Sequence, residues 1–258
     1  MVLRDGCLPR PVVSRRLLAS VALRFLPLAL AGFLGVLHCS DTPAQPNVIL
    51  FTLDGVRWQE VFHGADPLLN SRGRPEKIFK HTFDALEDRR AGGGFSASNL
   101  ALVSLPGYRS IMTGKFDLFC ISNECERIGV ESLQERLVRE LNLMPAQVAS
   151  IASWPVIARA VEHKPKSTFV NAGAMHIPSR AGNAELEGLH RLQSQNALPG
   201  GARRDEYTFA YALHYLEKSR PRFLYIGLDE SDAYADRNDY ANHVAILKQY
   251  DVWIKTTP

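Results

Sequence analysis

Two six-residue stretches constrain the fold of this chain more than any other feature. Val48-Ile49-Leu50-Phe51-Thr52-Leu53 and Phe223-Leu224-Tyr225-Ile226-Gly227-Leu228 are apolar at almost every position and rich in β-formers. A strand with one wet face alternates polar and apolar residues, whereas a strand buried on both faces reads as a continuous apolar run, the signature of a parallel sheet covered on both sides. Parallel neighbours need long crossover connections, which are usually helical. The chain therefore reads as α/β, with a mostly parallel sheet and helices on both faces.

The remaining sequence supplies the expected crossovers. Residues 75–91 read as a helix that ends at Gly92-Gly93-Gly94, and residues 106–113 as another, with Pro106 in its first turn and Gly114 after its last. Ser132 and Glu135 form a capping-box pair ahead of an amphipathic face of Leu133, Leu137, Val138 and Leu141. Residues 148–152 and 168–170 are expected strands, with a short helix around residues 155–161 between them. Residues 178–204 combine glycines, polar residues and little periodicity, so a loop or small insert over the sheet edge is expected there. Residues 205–218 and 239–255 read as helices flanking the second apolar run.

Composition excludes several classes. A chain of 258 residues with 46% hydrophobic content buries a sizeable core, which rules out disorder and coiled coil. Residues 1–38 carry Arg4, Arg10, Arg15, Arg16 and Arg24 against Asp5, a local +4 that leaves −1 of the net +3 for the rest. The globular part thus has no basic bias, and no nucleic-acid partner is expected. The same arginines precede and interrupt a mainly apolar run over residues 17–37, the pattern of an export signal occupying residues 1–40, with the folded domain over 45–258. Ser14-Arg15-Arg16-Leu17-Leu18 resembles a twin-arginine signal, and Cys39 stands where a lipoprotein signal would end, although His38 replaces the small residue usual before it. A retained membrane helix is the competing reading; in each case the domain lies beyond the cytoplasmic membrane, periplasmic or envelope-bound, with Cys39 as the point of any lipid anchor. An oxidising compartment permits disulfides. Cys120 and Cys125 then stand either as a local disulfide or as two free buried thiols, since no His or further Cys lies nearby at ligand spacing.

The residues able to do chemistry follow the strands. Asp54 comes directly after the first apolar run and Asp232 shortly after the second, so both belong at the carboxyl edge of the sheet, where open α/β sheets place ligands. Ser104 precedes Leu105-Pro106-Gly107-Tyr108, so the helix would begin beside its hydroxyl, and a helix N-terminus favours both an alkoxide and a phosphate oxygen. Two carboxylates and a hydroxyl make a hard, oxygen-rich cluster suited to a divalent metal. Each feature taken alone has a plainer reading: Asp54-Gly55 as a turn, Ser104 as an N-cap, and Asp229, Glu230, Asp232, Asp236 and Asp239 as a solvated acidic loop.

Three segments resemble the type I phosphodiesterase/nucleotide pyrophosphatase branch of the alkaline phosphatase superfamily. Asn47 through Asp54-Gly55-Val56-Arg57 is similar to a first strand ending in Asp-Gly-x-Arg. Ser104-Leu105-Pro106, closing on Thr113-Gly114, resembles a nucleophile segment, and Phe223 through Asp232 and Asp236 resembles a strand leading to an Asp-x-x-x-His metal pair. The resemblance implies an alkaline phosphatase-like fold and a small phosphoester substrate. It also implies a site with two divalent metals, zinc in the complete family, in which Asp54 and Ser104 serve one metal and Asp232 its neighbour. Ser104 would then attack phosphorus and pass through a covalent phospho-enzyme. Asn123 matches an asparagine that binds a phosphoryl oxygen, beside the alternative of a structural loop residue. Asp236 stands where the family has histidine, which favours a harder metal.

A later Asp-His-Gly segment and a last metal-binding histidine have no counterpart before Pro258, so the fold is expected to be incomplete at its C-terminus and the metal sites short of ligands. His163, His176, His190, His214 and His243 precede that region and read as core or surface histidines. Two other outcomes compete with an exported phosphoesterase: a catalytically inert relic of the fold, and a sulfatase-like enzyme. The sulfatase reading needs arginine where Tyr108 stands.

Overall fold

The structure, a computed structural model, describes residues 47–70, 73, 76–82, 101–177 and 183–258. The expected leader over residues 1–40, with Cys39, lies outside the described residues. The strands are β1 (Val48–Leu53), β2 (Val148–Ala152), β3 (Phe169–Ala172) and β4 (Phe223–Leu228), joined by helices α1 (Trp58–Phe62), α2 (Ser104–Thr113), α3 (Leu133–Glu140), α4 (Ala158–Val161), α5 (Ala184–Gln195), α6 (Asp205–Ser219), α7 (Glu230–Asp236) and α8 (Tyr240–Thr256). The sheet runs β1-β4-β2-β3 with every pair parallel. The two apolar runs are thus neighbours, in register from Val48 opposite Phe223 to Leu53 opposite Leu228.

Alternation along the strands divides the core into two layers. Leu224, Ile226 and Leu228 of β4, with Ala149 and Ile151 of β2, face a layer completed by Tyr211, Ala212 and Tyr215 of α6 and Leu247 and Tyr250 of α8. Phe223 and Tyr225, with Val148 and Ala152, face the opposite layer, which Leu105, Tyr108 and Met112 of α2 and Ala160 and Val161 of α4 complete. Both faces of the central strands are therefore buried, which explains why their sequences lack alternation. Each large aliphatic or aromatic side chain removed from water here contributes about 1.5–3 kcal/mol. Among the described residues, no helix is long and apolar enough to cross a membrane.

Several local expectations hold for the stated reasons. Gly114 closes α2 in the left-handed conformation, φ 67°, as a helix-ending glycine does. The Ser132 hydroxyl accepts from the Glu135 N–H at 3.1 Å while Glu135 accepts from the Ser132 N–H at 2.9 Å, a complete capping box. Of the two readings left open for Cys120 and Cys125, the disulfide is the one formed, with Cα atoms 5.6 Å apart.

Other expectations need correction. The segment 178–204, expected as a loop or small insert without helical period, holds a regular helix in its described part. Ala184–Gln195 form α5, started by the Asn183 side chain accepting from the Leu186 N–H at 3.1 Å and held by buried Leu186 and Gln193, while residues 178–182 lie outside the described residues. Of the helix expected over 75–91, residues 76–82 are extended or bent; Ile78 and Phe79 plug the core, and the Asp251 carboxylate on α8 accepts the N–H groups of Lys80, His81 and Thr82. Residues 83–91, and Gly92-Gly93-Gly94 after them, lie outside the described residues. The strand expected over 168–170 begins one residue later and ends at Ala172. On α3, Leu133 and Leu141 are exposed rather than core-facing, because Glu135 is drawn inward by the N–H groups of His163 and Lys164 and the hydroxyl of Ser167.

Candidate active site

The parallel register of β1 and β4 sets the site. Because Leu53 lies opposite Leu228, the residues that follow them, Asp54 and Asp229, leave the sheet side by side, and the Asp54 N–H donates to the Leu228 carbonyl at 3.0 Å. Ser104 is the first residue of α2, and its hydroxyl donates to Asp54 Oδ1 at 3.2 Å; the Gly55 N–H donates to the same oxygen at 3.0 Å. Asp232 lies in the first turn of α7, directly over Gly55. Asp54, Ser104 and Asp232 therefore meet at one edge of the sheet. Asp236, the last residue of α7, is exposed, and its charge acts on Asp54 and Asp232. The acidic segment is thus a helix whose first turn faces the site, rather than a solvated loop.

Gly55 is required by both conformation and space. Its φ is +68°, and a Cβ there would sit 2.5 Å from Asp232 Cα and 2.8 Å from Asp232 Oδ1. Since Asp232 backbone cannot yield cheaply, Gly55→Ala is expected to cost about 2 kcal/mol or more and to displace Asp232 from Asp54. Urea denaturation checks this; a variant within about 0.5 kcal/mol of the parent would show that the two segments do not pack this closely.

A buried polar hub holds the acidic segment in place. The Asp205 carboxylate, fully buried at the start of α6, accepts from the N–H groups of Asp229 at 3.0 Å and Glu230 at 2.8 Å and from the hydroxyls of Ser153 and Tyr250. Glu230 returns the contact by accepting the Asp205 N–H at 2.8 Å. Ser231 is tied at three points: its N–H donates to Tyr250 OH at 3.2 Å, its hydroxyl to the Asp54 carbonyl at 2.5 Å, and its carbonyl lies 2.9 Å from His243 Nδ1. The far side of the His243 ring faces the buried Glu60 carboxylate, which also receives the Arg57 side chain and N–H. Burial opposes ionisation of Glu60, but His243 and Arg57 prevail and lower its pKa to about 2. Of the other histidines, His176 is exposed and stacks on His190 with centroids 4.2 Å apart, His214 is buried, and His163 ties the Ile128 carbonyl at 2.8 Å.

The site's electrostatics are those of carboxylates crowded without enough positive charge. Burial, then the charges of Asp54, Asp205 and Asp232, push the Asp229 carboxyl up to about 8. Burial, then Asp54 and Asp236, push Asp232 up to about 6. Burial also raises Asp54, against hydrogen bonds from Ser104, the Gly55 N–H and Tyr108. A carboxyl whose folded pKa is raised binds its proton more tightly when folded, so its contribution to stability is full at low pH and declines as pH rises through that pKa. The cation-free protein is therefore expected to lose stability between about pH 4 and about pH 8, and added divalent cation to restore it most at the upper end. Melting temperature against pH, with and without cation, is the measurement; a flat or rising curve in the cation-free protein contradicts the crowding.

Asn123 reaches this site from the disulfide loop. Its Oδ1 accepts from the Leu105 N–H at 2.9 Å, in the first turn of α2 next to Ser104. The donors assembled at the edge are all oxygens, from Asp54, Asp229, Asp232, Asp236 and Ser104, a set that suits a hard divalent cation by type. Among the described residues, no group of three or more His, Cys, Asp or Glu side chains converges closely enough to hold an ion as they stand.

Sequence reasoning missed Asp229, although it follows its strand as directly as Asp54 does and that symmetry was available as a signal. It also missed Asp205, Tyr250 and Tyr108, whose roles arise only from long-range contacts. Comparison with models of protein families, with curated proteins and with solved structures returned no match.

Proposed function

We propose that this chain belongs to an exported, metal-dependent phosphoric ester hydrolase built on an alkaline phosphatase-like sheet, with Ser104 as the nucleophile. The observation that carries the reading is the hydrogen bond from Ser104 Oγ to Asp54 Oδ1, 3.2 Å, between residues fifty positions apart at the carboxyl edge of a parallel sheet. A serine that only caps a helix bonds to its own backbone, whereas this hydroxyl turns to a carboxylate from another element. Placed at the start of a ten-residue helix, the oxygen sits where the helix dipole favours negative charge.

In this reading Ser104 Oγ bonds to phosphorus as the ester P–O bond breaks and the alcohol leaves, and water later cleaves the phosphoserine ester to regenerate Ser104. Asp54 orients the hydroxyl, and the Asn123 amide, held beside Ser104 by the Leu105 N–H, would donate to a phosphoryl oxygen. Asp54 with Ser104, and Asp232 with Asp236, are the residues that would hold divalent cations, zinc by the resemblance. A bound cation would favour the ionised serine and offset charge on the phosphoryl group. The crowded, proton-retaining carboxylates support this assignment, because a cation would relieve the repulsion that raises Asp229 and Asp232.

The experiment is hydrolysis of an aryl phosphodiester by the exported protein with zinc added, alongside Ser104→Ala. Turnover that depends on Ser104 supports the reading. Its absence favours a catalytically inert domain.

A further inference from the structure

Asn123 is held at the site by an unusual means. It lies in the ring closed by the Cys120–Cys125 disulfide, and among the described residues its bond to the Leu105 N–H is the one hydrogen bond by which residues 121–124 reach outside that ring. The base of the ring, by contrast, is anchored from several directions. Cys120 is buried, and Cys125 packs against the same core layer as α2. Arg159 donates to the Cys125 carbonyl at 3.2 Å, and Arg109 of α2 donates to the Glu126 carbonyl at 3.1 Å while pairing with Asp117 on the other arm of the loop.

We infer that the Cys120–Cys125 disulfide is a positioning element of the Ser104 site, clamping Asn123 against the first turn of α2 so that its amide N–H group is presented to an anionic oxygen of the bound phosphoester. The geometry explains the direction of the amide. With Oδ1 occupied by the Leu105 N–H, the amino end turns away from the helix backbone, and among the described residues no protein group accepts from it. An open loop of exposed residues would spread Asn123 over many positions; closing the ring between two anchored ends limits that spread before substrate arrives. The part of this inference that concerns substrate rests on the phosphoesterase reading, and the part that concerns the clamp does not.

Two measurements separate these parts. The first is amide exchange of the Leu105 N–H, followed by NMR in the oxidised protein, in Asn123→Ala and in the Cys120→Ser/Cys125→Ser double variant. Protection of Leu105 is expected to fall at least about fivefold in both variants, with the protection of the β2 and β4 amides unchanged, which also shows that the variants fold. Unchanged Leu105 protection without the disulfide overturns the clamp.

The second is kcat/KM on an aryl phosphodiester. The disulfide-free variant and Asn123→Ala are each expected to lose about tenfold, and the combined variant to be no worse than Asn123→Ala alone, since both remove one interaction. Losses that multiply, or full activity without the disulfide, overturn the positioning role. Should the oxidised protein show no Ser104-dependent turnover, the phosphoesterase reading fails, and the exchange experiment alone decides the clamp.

Discussion

Ser104→Ala is expected to lower kcat on a phosphodiester at least about a thousandfold while leaving the fold intact. The substitution removes the atom that bonds to phosphorus, and residual turnover could come only from direct attack by water. Its structural cost is small. Ser104 is half-buried at the first position of α2, where alanine is compatible with the helix, and the bond to Asp54 is one neutral donor on a partly exposed carboxylate, so stability should change by no more than about 1 kcal/mol. The pairing of a large kinetic loss with a small stability change identifies a chemical role. Activity retained within about tenfold would instead mean that another group attacks phosphorus.

The largest stability effect is expected at Asp205. Asp205→Ala removes the acceptor of four donors at once, the partly buried N–H groups of Asp229 and Glu230 and the buried hydroxyls of Ser153 and Tyr250, of which Ser153 alone keeps a second partner in Thr208. Each stranded donor costs about 1–3 kcal/mol, partly recovered where water can enter the space left, so a net loss of about 4 kcal/mol is expected. The effect should also reach function. The same carboxylate fixes the backbone at the start of α7, and α7 carries Asp232 and Asp236. Denaturant midpoints would show the loss, and a shift equivalent to less than about 1 kcal/mol would mean that the hub is looser than these contacts imply.

The parts of this molecule legible in its sequence are those governed by neighbours in the chain. β4 and β1 both match their apolar runs to the residue; burial on both faces explains the unbroken run of β4, whereas β1, expected to be buried on both faces, lies at the edge of the described sheet and is only half-buried. The Ser132–Glu135 box and Gly114 were legible because capping is local chemistry. The failures come from long-range competition. Glu135, a helix residue by pattern, turns inward to meet backbone donors twenty-eight and twenty-nine residues away, and Leu133 is left in solvent as a result. Residues 80–82 give their N–H groups to Asp251, about 170 positions along the chain, an interaction with no local signature.

The site divides in the same way. Asp54, Ser104 and Asp232 could be picked out because each follows a strand or opens a helix. That they meet depends on β1 lying beside β4 rather than beside β2, which no pattern in either strand specifies. The hub beneath them, with Asp205, Tyr250, Ser231 and His243 drawn from α6, α7 and α8, exists only once those helices pack on one face of the sheet.

Trapping the covalent intermediate tests the central claim most directly. The oxidised protein would be mixed with an aryl phosphodiester and zinc, quenched in acid and digested, and the peptide that spans residue 104 weighed. The account predicts a phosphoryl-ester adduct on Ser104, absent when Asp54→Ala is treated in the same way. An unmodified Ser104 peptide under conditions where the diester is consumed, or an adduct on any other residue, would contradict it.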